Sequence, residues 1–263
     1  MMTDAANDLA ETGPAPLPSE SVRLPDRGFT IDRTKAGVAA LVCWIGWGAM
    51  VYLVTNNLTR AFDDWGLHLY RTGPDLAPIG GPPIHEAVRD MTALGGVFLT
   101  TIFTIAAIVA LLFMRMRREA MLLGMTVLFG WMLNNFMKWL VGRPRPEIVP
   151  HLTEAGGNSF PSGHSFASAM VYVAMAVAFA SLSNRHSVRY TVIGSAMVLS
   201  ALIAWSRVML GVHYPSDVIA GWLGGVGWAF AAAALLYHPA KAAADSEAAG
   251  RLVHQATKQN RLP

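Results

Sequence analysis

Six residues in two short segments have side chains that can bind an anion or transfer a proton: Lys138, Arg145, His164, Arg207, His213 and Asp217. The first three lie within residues 138–165 and the other three within residues 206–217. Fixed cations bind phosphate oxygens, and histidine gains and loses its proton near neutral pH. The residue types therefore predict acid–base chemistry on a bound phosphate group.

The second segment offers a nucleophile beside a carboxylate. His213 and Asp217 are four residues apart, and Pro215 between them suits the first position of a helix. One helical turn would bring the carboxylate to one imidazole nitrogen and leave the other nitrogen free to attack. His164 would then protonate the leaving oxygen, which gives an acid–base pair that works near neutral pH. The alternative for His213 and Asp217 is a helix-capping pair.

The first segment ends in a predicted anion site. Ser162, Gly163 and His164 stand at the start of an apolar run and are predicted to open a helix. A helix start offers unpaired N–H groups and the positive end of the helix dipole. Three fixed cations would add the charge that holds a phosphate: Lys138, Arg145 and Arg207. Taken alone, Arg207 has an alternative explanation, because an arginine at a helix end can extend to the membrane surface.

The elements that must position these residues are apolar helices. The 263-residue chain is 53% hydrophobic and 14% charged, whereas a globular protein has about 25% charged residues. The runs long enough to cross a bilayer are residues 36–54, 97–114, 120–137, 165–182, 190–210 and 218–237. These apolar runs are expected to be helices and not strands, because the unpaired backbone groups at the edge of an open sheet cannot be satisfied in lipid. The sequence therefore predicts an all-α, polytopic membrane bundle of six transmembrane helices and excludes an ordinary soluble domain.

The two reactive segments must lie on the same side of the membrane, because two predicted spans separate them. Of the 20 Lys and Arg residues, 13 fall in the two ends and the turns after residues 114 and 182, and 7 fall on the opposite side. Cytoplasmic loops are enriched in these residues. We therefore expect cytoplasmic termini, an extracytoplasmic site, and a membrane domain of residues 36–237 between polar tails at 1–35, expected to be disordered, and 238–263. Membrane topology also accounts for the net charge of +3, so no nucleic-acid partner is expected.

A further helix is predicted in the first outer loop. Within residues 60–70, Phe62, Trp65 and Leu69 fall near helical spacing. Such a helix would lie in the membrane interface with its aromatic side chains at headgroup depth. The alternative is an ordered loop with ordinary interfacial aromatic residues.

The ordered motifs resemble those of the type 2 phosphatidic acid phosphatase (PAP2) family, the lipid phosphate phosphatases. That family has three motifs: K-x6-R-P, P-S-G-H and S-R-x5-H-x3-D. Residues 138–146 match the first motif, residues 161–164 the second and residues 206–217 the third, with no departure at a defining position. The match spans about 80 residues, and the predicted six-helix pattern extends the likeness to residues 36–237.

The resemblance implies a metal-independent phosphohydrolase without a cofactor. It implies that His213 is the nucleophile that forms a phosphohistidine, that Asp217 orients it, and that His164 is the acid for the leaving group and later the base for water. Five residues would hold the phosphoryl oxygens: Lys138, Arg145, Ser162, Gly163 and Arg207. Arg143, in the variable stretch of the first motif, is interpreted as a flanking residue or a headgroup contact.

Several functions remain open at this level. The substrate could be phosphatidate, phosphatidylglycerol phosphate, a polyprenyl diphosphate such as undecaprenyl diphosphate, or a lipid A phosphate, with membrane lipids as surroundings. A phosphotransferase would use the same phosphohistidine with a lipid or glycan hydroxyl as acceptor. A transporter would capture phosphate without cleaving it. A metal hydrolase would need further ligands, and the motif segments offer only His164 and Glu147.

Overall fold

The computed structural model describes residues 32–180, 182–183 and 185–235, so nearly all of both predicted tails lies outside the described residues. Within these ranges the chain forms eight α-helices. They are α1 (Arg33–Thr55), α2 (Arg60–His68), α3 (Pro82–Ala93), α4 (Val97–Phe113), α5 (Arg117–Val141), α6 (Gly163–Ala180), α7 (His186–Met209) and α8 (Pro215–Leu235). Two short strands, β1 (Arg71–Thr72) and β2 (Ala77–Pro78), pair antiparallel between α2 and α3.

The membrane-spanning helices agree with the predicted apolar runs. Helices α1, α5, α6, α7 and α8 are long and apolar enough to cross a bilayer. Helix α4 has 17 residues, coincides with the predicted run 97–114, and is bent by 48° from α3 across a short break. The predicted all-α membrane bundle is confirmed: five single helices can span a bilayer, and α3 with α4 provides a sixth span when the bent pair is counted as one.

Helix α6 is the centre of the bundle. It packs against α4, α5 and α7, and most of its side chains are buried. Helix α8 approaches it closely through glycines: a Cβ atom built on Gly225 would meet the Ala169 Cβ at 2.9 Å. In contrast, large apolar side chains on other helices are exposed, such as Leu41, Phe98 and Trp139, as expected where lipid replaces water.

The segment between α1 and α4 contains more structure than the sequence predicted. Helix α2 forms at the predicted place and exposes Phe62 (43%) and Trp65 (58%), while Asp63 and Leu67 on another face are buried. Its position in the membrane interface stays a prediction. The strand pair and helix α3 were not predicted, because α3 begins at two prolines and has no continuous apolar run.

The loop after α5 carries part of the first motif. Helix α5 ends at Gly142, which adopts a left-handed conformation with φ of 62°. Glycine takes this conformation without steric cost. The chain therefore leaves α5 in a sharp turn, and the arginines that follow Gly142 point back into the bundle, where Arg143 contacts Asp217 in α8 and Arg145 contacts Val212 just before it.

Candidate active site

The candidate site forms where α8 begins. His213 lies two residues before α8, and Asp217 lies in its first turn. The His213 Nδ1 atom is 3.5 Å from Asp217 Oδ2 and 3.2 Å from Ser159 Oγ. The same Oδ2 accepts hydrogen bonds from the Ser159 hydroxyl and from the Tyr214 backbone N–H at 3.0 Å. Both side chains of the histidine–carboxylate pair are almost completely buried.

The second nitrogen of His213 faces a cation. Arg145 Nη1 lies 3.0 Å from His213 Nε2. A guanidinium group can only donate hydrogen bonds, so Nε2 accepts and the ring proton is on Nδ1, toward Asp217 and Ser159. Burial lowers the pKa of His213 to about 4, against the opposing effect of Asp217. The imidazole is therefore neutral at pH 7, with a lone pair on Nε2.

Backbone carbonyl groups hold two of the predicted cations. Arg145 donates to the carbonyl oxygens of Val212 at 2.8 Å, Gly156 at 2.8 Å and Gly157 at 3.1 Å. Lys138 Nζ donates to the Asn158 carbonyl at 2.7 Å. Burial lowers the pKa of Arg145 from its ordinary value, which an arginine tolerates without losing its charge. Arg145 is thus fixed against His213, and Lys138 is fixed at the end of α5, where it interacts electrostatically with Arg145 and Asp217.

The third cation, Arg207, lies in the last turn of α7 and is only 4% exposed. Its Nη1 atom donates to Thr92 Oγ1 at 2.9 Å, and its buried Nε–H has no partner among the described residues. The side chain therefore does not extend to the membrane surface, which removes that alternative explanation for Arg207.

The start of α6 completes the cluster. The Ser162 backbone N–H donates to the Asp217 carbonyl at 3.0 Å, and a Cβ built on Gly163 would lie 3.5 Å from Lys138 Cε. The His164 ring lies near enough to His213 and the three cations to interact with them electrostatically. The eight residues predicted from the sequence thus lie together in one cluster, as the parity of the spans requires.

Arg143 has a different position from the one expected for it. It was interpreted as a flanking residue or headgroup contact, but it donates to Asp217 Oδ1 at 2.7 Å and to Asp63 Oδ2 at 2.8 Å. Its guanidinium also lies 4.0 Å above the Tyr214 ring. Burial opposes its charge, but the two carboxylates outweigh this effect and raise the pKa of Arg143. Arg143 therefore belongs to the interior of the site.

Two further residues of the site have no signal in the sequence. Ser159 bridges His213 and Asp217, yet it is an ordinary serine five residues before a motif histidine. Asp63 is separated from Arg143 by 80 residues, and no local pattern distinguishes it from its neighbour Asp64. Within the described residues, no group of three or more His, Cys, Asp or Glu side chains is arranged to hold a metal ion.

Comparison with known proteins identifies the family. Residues 119–241 match the model described as the PAP2 superfamily. Phosphatidylglycerophosphatase B of Bacillus subtilis (strain 168) is 33% identical over 147 residues, which cover 53% of this chain and 69% of that protein. Lipid A 1-phosphatase of Rhizobium etli is 37% identical over 122 residues, which cover 43% of this chain and 47% of that protein. The chain belongs to the PAP2 superfamily.

A solved structure has the same fold. It is the crystal structure of a transmembrane PAP2-type phosphatidylglycerolphosphate phosphatase from Bacillus subtilis, with a TM-score of 0.66 at 24% identity over 73% of this chain and 93% of that one. Together with the apolar helices, this likeness identifies an integral membrane protein. The matched segment spans only 47% of the lipid A 1-phosphatase. That similarity therefore indicates a common family and does not identify the substrate of this chain.

Proposed function

We propose that the protein is a membrane phosphatase that hydrolyses a phosphomonoester or diphosphate on a lipid through a phosphohistidine intermediate. The observation that carries this proposal is the contact between Arg145 and His213 Nε2 at 3.0 Å. It places a neutral nitrogen lone pair directly against a cation that binds phosphate oxygens. A nucleophile and its anion-binding group therefore face the same point.

In the first half of the reaction, His213 Nε2 attacks the phosphorus atom and the bond from phosphorus to the lipid oxygen breaks. His164 gives its proton to that leaving oxygen, so a neutral lipid alcohol departs, or a lipid phosphate when the substrate is a diphosphate. The Nδ1 proton of His213 remains directed at Asp217, which stabilises the positive ring as the bond forms. The carboxylate supports the nucleophile and takes no proton.

In the second half, His164 accepts a proton from water, and the resulting hydroxide attacks the phosphorus atom of the phosphohistidine. The bond between phosphorus and Nε2 breaks, inorganic phosphate leaves, and His213 regains its lone pair. His164 is again protonated and ready for the next substrate. Atoms and charge therefore balance over the cycle with no cofactor and no metal ion, and water is the only co-substrate.

The fixed cations and the start of α6 stabilise the charge on the phosphoryl group. On substrate binding, Arg145 exchanges its contact with His213 Nε2 for a phosphoryl oxygen, which frees the lone pair to attack. Lys138 and Arg207 bind further oxygens, and the buried Arg207 Nε–H, which bonds no other described residue, supplies a donor. Ser162 and the Gly163 backbone complete the site. Donors fixed in advance stabilise the transition state at little reorganisation cost.

The lipid nature of the substrate is supported by where the site lies. It forms at one end of the membrane helices, between the start of α6 and the first turn of α8, so a phosphate headgroup at the membrane surface can reach it while the acyl chains stay in the bilayer. We place this end on the extracytoplasmic face and both termini in the cytoplasm, because 13 of 20 Lys and Arg residues then lie inside.

Phosphate release by the purified protein tests the reaction. The protein in detergent, with a chelator present, is given phosphatidate, phosphatidylglycerol phosphate or undecaprenyl diphosphate. Wild type is expected to release phosphate, and His213→Ala to lower the rate by a factor on the order of 10⁴ or more, because the nucleophile is lost. His68→Ala is the matched control, since His68 is exposed on α2 and bonds only its own helix among the described residues.

The same assay separates the alternatives. Retained turnover in His213→Ala would remove the nucleophile role, and loss of wild-type activity in chelator would indicate a metal hydrolase. Mass spectrometry with a lipid alcohol present identifies any phosphorylated acceptor, and such a product would favour phosphotransfer over hydrolysis. No product from any substrate would contradict the proposed phosphatase.

A further inference from the structure

A second polar layer lies behind the histidine–carboxylate pair, and none of its members is at a defining position of the three motifs. It consists of Asp63 from α2, Arg143 from the loop after α5, and Ser216 from α8. Asp63 is 1% exposed and Ser216 is fully buried. Burial of charged groups without partners is costly. We therefore expect these groups to be paired with one another, and their contacts indicate the role of the layer.

The two carboxylate oxygens of Asp217 have different partners, because Arg143 binds one of them and His213 faces the other. Its Nη1 atom donates to Oδ1 at 2.7 Å, while Oδ2 faces His213 Nδ1 and accepts from Tyr214 and Ser159. A carboxylate held at only one oxygen can rotate about its terminal bond, whose torsion is broad. With Oδ1 fixed by Arg143, Oδ2 is held toward the imidazole.

Asp63 in turn fixes Arg143. Its Oδ2 atom accepts from Arg143 Nη2 at 2.8 Å and from the Ser216 hydroxyl at 2.7 Å, and its Oδ1 atom accepts from the Ser216 backbone N–H at 2.9 Å. The planar guanidinium thus bridges two carboxylates from elements far apart in sequence. Such a two-sided arrangement sets both the position and the plane of the group.

We propose, on the basis of the proposed function, that Asp63 is a positioning residue for the reaction: it holds Arg143 so that Asp217 presents Oδ2 to His213. The proposal extends the site to α2. Phe62 and Trp65 are exposed on one face of that helix, and Asp63 is buried on another. Catalysis therefore requires α2 to be packed in its observed position. Asp63 touches none of the reacting atoms and acts only through Arg143.

The net charge of the layer also affects the protonation of His213. Asp63, Arg143 and Asp217 together carry one net negative charge, which favours the positive ring that His213 acquires when Nε2 is protonated or bonded to phosphorus. Neutralising Asp63 reduces this net charge to zero. The other charged or polar groups that face His213 are unchanged by that substitution: Arg145, Ser159, His164 and Arg207. Lys138, which interacts with Asp217 and His164, is also unchanged.

The test compares Asp63→Asn with Asp64→Asn on the full-length protein. The asparagine that replaces Asp63 would keep an acceptor for the Ser216 N–H but lose the charge that holds Arg143. The Asp64 side chain, in contrast, makes no hydrogen bond among the described residues. Asp63→Asn is expected to lower kcat by about 100-fold through misplaced reacting groups with KM nearly unchanged. Asp64→Asn is expected to behave as wild type.

A second variant covers the case in which Asp63→Asn weakens folding. Arg143→Lys keeps the positive charge and loses the planar fork that contacts both carboxylates. It is measured alongside and should also lower kcat, because a single ammonium group cannot hold Asp217 Oδ1 and Asp63 Oδ2 in the same geometry. Wild-type kcat in this variant would contradict the role given to the guanidinium.

Two readouts distinguish positioning from mere anchoring of α2. In the Asp217→Asn background, Asp63→Asn is expected to lower kcat little further. Asp63 acts on His213 only through Arg143 and Asp217, so the two substitutions remove the same interaction and their effects are not additive. The acidic limb of the kcat/KM profile is expected to shift to lower pH in Asp63→Asn, because protonated His213 loses a stabilising negative charge. Full additivity together with an unshifted limb would overturn the proposal. Absence of phosphate release by wild type would instead refute the proposed function itself.

Discussion

The reactivity of His213 depends on neighbours that act on different atoms of its ring. Arg145 donates to Nε2 and thereby places the ring proton on Nδ1. Asp217 and Ser159 lie opposite Nδ1. Burial keeps the ring neutral. One tautomer and one protonation state are therefore set before substrate arrives, which is the condition for an imidazole nucleophile.

This environment predicts the pH dependence of the reaction. The pKa of His213 is lowered from the ordinary 6.5 to about 4, so Nε2 loses its lone pair only as the pH falls through that lower value. The acidic limb of kcat/KM, which reports the free enzyme, is expected well below pH 6.5. An acidic limb at or above 6.5 would contradict a neutral buried His213.

The control for this measurement is the substrate, because a phosphate monoester has its own ionisation near a pH of about 6. The profile is therefore recorded with one monoester and one diphosphate lipid. If the acidic limb of kcat/KM lies at the same pH with both substrates, it reports a group of the enzyme. If its pH differs between the two substrates, it reports the ionisation of the substrate phosphate.

The sequence predicted the residues of the site that lie in local patterns and not those that depend on tertiary contacts. Helical spacing connects His213 with Asp217, and a helix start exposes Ser162 and Gly163, so their chemistry can be read along the chain. Arg143 gives no such sign, because its partners come from α2 and α8. Its role becomes visible only when two carboxylates are seen on either side of it.

At the level of elements, the site depends on the contact between α6 and α8. The Ser162 N–H donates to the Asp217 carbonyl, so the helix start that we propose to bind phosphate is connected directly to the turn that carries the carboxylate. The two helices can approach this closely because Gly221 has no side chain: a Cβ there would meet Ser165 Cβ at 3.0 Å and the Ser162 backbone N at 3.2 Å.

Gly221→Ala is therefore expected to separate the two halves of the site. The added methyl group meets backbone atoms that cannot move aside, and overpacking of this kind costs about 1–3 kcal/mol. Thermal unfolding in detergent should show a lower midpoint, and phosphate release should fall more steeply than stability, because Ser162 and His164 shift relative to His213.

Gly194→Ala is the matched control for that substitution. Gly194 lies inside α7, and a Cβ built there meets nothing within 4 Å. Alanine in a helix interior is favoured over glycine by about 1 kcal/mol, so this variant should be neutral or slightly stabilised and fully active. Equal behaviour of the two variants would mean that the α6–α8 contact is not tight enough to position the site.

The elements themselves were predictable to different degrees. Long apolar runs identify α1 and α5–α8 because lipid requires them, and the aromatic spacing of residues 60–70 anticipated α2. The predicted run 97–114 corresponds to α4 as one continuous helix, and the chain breaks before it, at residues 94–96, where it follows the more polar helix α3. Hydropathy detects the apolar half of such a pair, whereas the polar half α3 is recognisable only from its packing against α7.

At the level of the whole molecule, the orientation of the bundle decides which pool of lipid the site can reach. The counting of basic residues favours an extracytoplasmic site, and this can be tested because Cys43 is the single cysteine of the chain. In a Cys43→Ala background, one new cysteine is placed at Asp75, exposed between β1 and β2, or at Ser187, exposed in the first turn of α7. These positions lie on opposite sides in the proposed topology.

A thiol reagent that cannot cross membranes is then applied to intact bacterial spheroplasts. Asp75→Cys should react at once, and Ser187→Cys should react only after the membrane is disrupted, while both variants keep phosphate release. The opposite labelling pattern would place the site in the cytoplasm and overturn the proposed orientation. It would leave the chemistry intact, because the two reactive segments are separated by two spans and must share a face whichever way the bundle is inserted.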